Sequence, residues 1–204
     1  MRFIKVILTI AIIFTAYFGD YVVFKSRYSN YFIFRAIADV LVHGSLGFLS
    51  SLMFFSHENN LNFEACAINV IFCTFVSSFI DVDHFIVAKS FYFKDLADLK
   101  YRGIFHNTTF WVLLSIILLL YSYLQKKLYI YVMTLMLILA YSSHHIRDGN
   151  RRGIWLYPLG STPPIEKNLY IFLLAVLPHV FAYFYLMFKL EFSKNTVFDY
   201  TLIV

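Results

Sequence analysis

The chain has 204 residues, of which 60% are apolar and 21% aromatic and only 14% charged, against about 45–50% apolar and about 25% charged in soluble domains. A fold of this length cannot hide so much apolar side chain beneath a polar skin, and the aromatic content excludes disorder. The net charge of +5 comes from 17 Lys and Arg scattered between apolar runs, without the clustered basic face that a nucleic-acid partner requires.

A membrane-spanning helix needs about 20 mostly apolar residues. Six stretches meet that length in chain order: Phe3–Phe24, Phe32–Phe55, Phe63–Ile80, Ile104–Leu124, Leu128–Ser143 and Leu169–Phe188. None alternates with period two, which argues against a β-barrel. The first reads as an uncleaved span rather than a signal peptide, because Tyr17 and Phe18 stand where a cleavage site needs small residues. Cys66 and Cys73 share one apolar run and read as small core or lipid-facing residues. The segment Phe85–Tyr101 mixes Phe91, Tyr92, Phe93, Leu96 and Leu99 with acids and lysines, a pattern that predicts an interfacial amphipathic helix. The expected architecture is therefore all-α: one integral-membrane domain over residues 1–204, a polytopic bundle of about six transmembrane helices in contact with the lipid bilayer.

Basic residues lean to one side. The first, third and fifth connections hold 11 of the 17 Lys and Arg, which places them in the cytoplasm by the positive-inside rule. Arg102, Arg147, Arg151 and Arg152 belong to motifs, and without them the balance is 7 against 6, so orientation stays open.

Ionisable groups at membrane depth are costly and face a bundle interior, a partner or a cavity. Here they gather on the side of the odd connections. Asp39 and His43 lie one turn apart early in the second span, and Asp81, Asp83 and His84 end the third. His106 opens the fourth, and His144, His145 and Asp148 end the fifth. His43 is the deepest, about 10–15 Å in at about 1.5 Å per residue. Of the remaining histidines, His57 reads as a solvated loop residue, and His179, after Pro178, either lines the cavity or, the preferred reading, bonds carbonyls freed by the proline kink. Imidazole and carboxylate from several helices suit a divalent metal, zinc being the first expectation, with a position open for water. Such an ion acidifies water into a nucleophile for an acyl or phosphoryl centre. The i,i+4 pairs Asp39/His43 and His144/Asp148 share helix faces, so either both members bind metal or the acid orients the imidazole from behind.

The ordered blocks His43-Gly44, Asp81-Val82-Asp83-His84, Arg102 to His106, Ser143-His144-x-x-x-Asp148 and Gly153 to Pro158 resemble the YdjM-type, LexA-regulated, predicted membrane-bound metal-dependent hydrolases of bacteria. The likeness is closer to a eukaryotic group of multi-pass proteins called transmembrane protein 267, and it covers about residues 38–160. Tyr101, Asn107 and Ile80 stand where the bacterial pattern has His, Ser and Pro. The resemblance implies a helical membrane protein with a hydrolase site and passes the metal and catalytic roles to matching positions. On that basis His43, Asp83, His144 and Asp148 are the expected ligands, and His106, Asp81 and His84 the expected catalytic groups. Asp39 and His145 stand behind the ligands, and Arg102, Arg151 and Arg152 are expected to hold an anionic group.

The function expected is a membrane-embedded metal-dependent hydrolase acting on a lipid or phosphoester at the bilayer surface. Its alternatives are a non-catalytic multi-pass protein with a structural His/Asp cluster and an ion or metal transporter. The transporter fits less well, because polar groups do not continue through the second half of each span.

Overall fold

A computed structural model describes residues 2–57, 61–96, 99 and 101–193. The helices are α1 (Arg2–Lys25), α2 (Phe32–Phe55), α3 (Phe63–Phe79), the short α4 (Asp83–Ala88), α5 (Thr108–Gln125), α6 (Leu128–Arg152) and α7 (Lys167–Ser193). Six stretches are long and apolar enough to cross a membrane, α3 and α4 forming one of them across a 3₁₀ turn at Ile80–Val82. Among the described residues there are no strands, only isolated bridges around Trp155. The protein is an integral, multi-pass membrane protein, as its composition requires.

Local sequence sets several helix ends. Asn62 caps α3 by accepting the Ala65 N–H at 2.8 Å, and Asn107 caps α5 by accepting the Thr109 N–H at 3.1 Å. At the end of α6, Gly153 has φ +70, and a Cβ there would lie 1.8 Å from the Thr162 carbonyl oxygen. Only glycine meets both conditions. The chain then folds back as a strap, with Thr108 N–H donating to Trp155 O and Ile165 N–H to Gly149 O.

Burial identifies the centre. In α6, 72% of the spanning stretch is buried, against 17–33% in the other five. The rest therefore turn most of their surface to lipid, where large apolar side chains such as Phe14, Phe75 and Ile117 are exposed. Helix α6 runs to Arg152, so His144, His145 and Asp148 lie within it rather than beyond Ser143. Helices α2 and α3 approach closely, because Gly44 and Gly47 face Ser78 and Ser77 with no room for a Cβ. In this contact Ser77 Oγ donates to His43 O at 2.8 Å and the Cys73 thiol lies 3.4 Å from Gly47 O. Both cysteines are free, and Cys73 is buried.

Three expectations change. The amphipathic segment is not one helix: α4 stops at Lys89 in the left-handed region, and a separate 3₁₀ turn follows at Phe93–Leu96. Residues 97, 98 and 100 of that segment lie outside the described residues. His57 is not solvated. It is buried, with Nδ1 3.4 Å from Lys5 Nζ and Nε2 3.2 Å from His179 Nδ1. His179 reaches Thr9 Oγ1 at 3.3 Å rather than the carbonyls near Pro178. The α1–α7 packing offers it side-chain partners, and these take its ring. An apolar layer of Ile12, Ala16, Leu46, Met53 and Leu174 separates this cluster from the ionisable groups at the other end.

The largest buried charge is Arg147 of α6, 2% exposed, with Nε 3.1 Å from Asp20 of α1 and Nη1 2.6 Å from Asp39 of α2. Asp20 also accepts from the Tyr170 hydroxyl of α7. Removing one member of a buried pair leaves an uncompensated charge and costs about 3–5 kcal/mol. Arg147→Ala is expected to lose that much stability in detergent-solubilised thermal or denaturant unfolding, with Arg147→Lys recovering part of it. The His57 cluster supplies a pH effect. Burial first, then the charge of Lys5 and the neighbouring His179, push the His57 pKa from 6.5 down to about 4. The folded state thus prefers neutral His57, and its stabilisation is complete above pH 6.5 and falls as pH drops from 6.5 toward about 4. In a series of melts across that window, His57→Gln should show a flatter decline than the wild type.

Candidate metal centre

The 3₁₀ turn after α3 aims Asp81 into the bundle, α2 brings His43, and α6 brings His144 and Asp148 one turn apart. Ligand atoms of these four lie within 4.8 Å of one another. His43 Nε2 is 3.4 Å from Asp148 Oδ1, while His144 Nε2 is 3.5 Å from Asp81 Oδ1 and 3.7 Å from Asp148 Oδ2. The two imidazoles stack with centroids 3.7 Å apart. These separations are long for hydrogen bonds, which cluster at about 2.7–3.2 Å. They match the edge of a tetrahedron around one ion, about 3.4 Å for ligand bonds of about 2.0–2.2 Å. Both ring nitrogens of His43 and Asp81 Oδ2 are buried with no hydrogen-bond partner. Buried polar atoms are rarely left so, and here three of them belong to residues of one donor set. The residues present fit a divalent cation.

The surroundings fix each ligand's direction. His144 Nδ1 donates to Ser77 O at 2.8 Å, which leaves its Nε2 lone pair toward the group. The Ser77 hydroxyl bonds the backbone carbonyl of His43, so one residue of α3 holds the His144 ring and the stretch of α2 that carries His43. Arg151 donates to Asp148 Oδ1 at 2.7 Å and lies over the Phe24 ring. Asp39 stands 3.9 Å from His43 Nε2, held by Arg147.

Asp83, expected as a ligand, is turned elsewhere. Its carboxylate accepts from His106 Nδ1 at 3.0 Å and from the Phe105 N–H at 2.9 Å, and it is 1% exposed. This orients His106, whose Nε2 lies 3.4 Å from both His144 Nε2 and Asp148 Oδ2 and 3.5 Å from Asp81 Oδ1. Burial opposes charge on His106, but the surrounding carboxylates of Asp148, Asp81 and Asp83 outweigh it and hold its pKa well above the usual histidine range. His84 stands at the edge, with Nδ1 3.4 Å from Asp81 Oδ1 and a side chain 30% exposed. His145 is fully engaged: Nε2 donates to Phe105 O at 3.0 Å, and Nδ1 accepts from Thr108 Oγ1 at 2.8 Å. It braces the turn that carries His106.

A cavity of about 560 Å³ opens over this floor. Asp81, His84, His106 and Asp148 line its base, with Arg35, Arg102, Arg151 and Arg152 around it and Phe32, Ile37, Leu41 and Leu96 among its apolar walls. Of the arginines expected to hold an anion, Arg102 donates to the carbonyls of Arg152 at 2.7 Å and Gly153 at 3.0 Å, and Arg151 engages Asp148. Arg152 is exposed. Arg35, Arg147, Asp20 and Tyr170 were not among the site residues expected from the sequence. An acid within an apolar run was the available signal for Asp20.

In comparisons with known proteins, the chain is similar to transmembrane protein 267 of Mus musculus, 32% identical over 158 residues, which cover 73% of this chain and 68% of that protein. It is 35% identical over 148 residues to the Danio rerio protein of the same name, covering 72% and 65%. The corresponding values for Xenopus laevis are 31% over 150 residues, covering 72% and 66%. No family model and no solved structure matches the chain.

The geometry around His106 yields a test. A Cβ on Gly103 would sit 2.2 Å from the Asp83 carboxyl, so Gly103→Ala should displace Asp83, and Asp83→Asn should weaken its hold on His106. Each is expected to shift the imidazole NMR resonances of His106 relative to the wild type, while the helical circular dichroism is retained.

Proposed function

The chain belongs to the transmembrane protein 267 family, and on that footing we propose that it is a membrane-embedded metal-dependent hydrolase acting on a lipid or phosphoester at the bilayer surface. The observation that carries this reading is the convergence of His43, Asp81, His144 and Asp148 within 4.8 Å, with orphaned polar atoms among them, at the base of a cavity. These four residues would hold a divalent ion, zinc by the character of the donor set. When bound, such an ion supplies Lewis acidity and acidifies water.

The chain's own groups do the rest. His84 and His106 flank the floor on the cavity side, where they touch the reacting group. Arg35 and Arg152 at the wall attract an anionic headgroup, while Arg102 and Arg151, bonded within the protein, extend the same positive field. The apolar walls take the hydrocarbon portion and keep water from the site. The sequence likeness to the YdjM-type hydrolases belongs to the same reading.

A second reading, a non-catalytic membrane protein with a structural His/Asp cluster, draws on Arg102, Arg151 and His145, all of which are bonded inside the protein. Elemental analysis of detergent-purified protein, paired with hydrolysis assays on a panel of lipid phosphoesters, separates the two. The hydrolase reading expects at least one divalent ion per chain. It also expects His144→Ala to lose that ion and cut turnover by more than about 100-fold, beyond the effect of residues that only support a ligand. Folded wild-type protein without divalent metal after zinc loading overturns it.

A further inference from the structure

Asp81 belongs to two groups of potential ligands at once. Beside the set with His43, His144 and Asp148, a second set of Asp81, His84 and His106 also brings its ligand atoms within 4.8 Å. Asp81 Oδ1 lies 3.5 Å from His144 Nε2 toward the bundle core. On the cavity side it lies 3.4 Å from His84 Nδ1 and 3.5 Å from His106 Nε2. All three separations are those of neighbouring ligands on one small cation, about 3.4 Å. The other oxygen, Asp81 Oδ2, is buried and has no hydrogen-bond partner. Asp81 Oδ1 thus has a nitrogen of each group beside it, which is the place of a shared ligand.

We propose, on the basis of the metal-centre reading above, that the protein holds two divalent ions, an inner one on His43, His144, Asp148 and Asp81 and an outer one on Asp81, His84 and His106. Asp81 is the shared ligand. The outer site has only three protein donors, and all three line the cavity, whereas His43 and His144 do not. Its remaining positions therefore face the space a substrate would fill. Asp83 completes the outer site from behind by fixing His106 Nδ1 and leaving Nε2 to face Asp81, the carboxylate–histidine arrangement that supports metal ligands elsewhere. Paired ions sharing a carboxylate suit a phosphoester centre, because one can hold the attacking oxygen and the other the leaving oxygen of an in-line displacement. An amphiphile with a phosphate group is accordingly the substrate class. The four arginines and the apolar wall of the same cavity match its two parts.

The full chain in detergent, loaded with zinc and dialysed, is expected to retain two ions per chain by elemental analysis. Loaded with Mn²⁺, it is expected to give the exchange-coupled electron paramagnetic resonance signal of a spin pair. His84→Ala should retain one ion and give an uncoupled Mn²⁺ signal. The His84 side chain is 30% exposed, and circular dichroism and gel filtration of His84→Ala and His84→Gln check that the fold is kept. Asp81→Asn should reduce occupancy of both sites. One ion in the wild type with no spin coupling, or two ions surviving in His84→Ala, overturns the paired centre while leaving the single-metal hydrolase standing. No ion in folded wild-type protein overturns both.

Discussion

Arg147 is a cation 2% exposed at the heart of a lipid-facing bundle, and the arrangement of four helices around it follows from the need to neutralise it. Born costs of this kind are met only by close opposite charge and hydrogen bonds. Asp20 from α1 and Asp39 from α2 answer it, and Tyr170 from α7 bonds Asp20 in turn. The register of α6 against these helices is thereby set, and with it the height of His144 and Asp148 on the adjacent turns. The candidate metal centre thus rests on a structural ion-pair network a single helical turn away.

The centre has a division of labour that its residue types alone conceal. Ser77, Asp83, Arg151 and Thr108 contribute no ligand to either group of potential donors. Ser77 and Asp83 occupy the Nδ1 atoms of His144 and His106 and leave each Nε2 to face the group, while Arg151 holds Asp148 through Oδ1 and Thr108 holds His145 beside the turn that carries His106. In a low-dielectric interior such fixed partners are worth more than in water, and an atom left without one is conspicuous. His43 and Asp81 carry those atoms.

The histidines and charged side chains of the bundle gather at its two ends. Lys5, Thr9, His57 and His179 form one end, and the aspartate, histidine and arginine groups form the other. Ile12, Ala16, Leu46, Met53 and Leu174 lie between. Among the described residues this layer interrupts any path of histidines and charged groups through the protein, which weighs against transport.

Hydropathy and length, both local properties, were enough to locate the six spans and to place Asp39, His43, Asp81, Asp83, His84, His106, His144, His145 and Asp148 toward one side. Alternating helices leave no other choice once their ends are known. The sequence could not separate Asp81 from Asp83, two residues apart in one motif, because the 3₁₀ turn Ile80–Val82 decides which carboxylate enters the centre and which turns to His106. Nor could it pair Asp20 with Arg147, 127 residues away, or His57 with His179, 122 residues away. Those bonds depend on how side chains of different helices interlock, and that depth and rotation is settled by packing across the bundle rather than by any pattern along the chain.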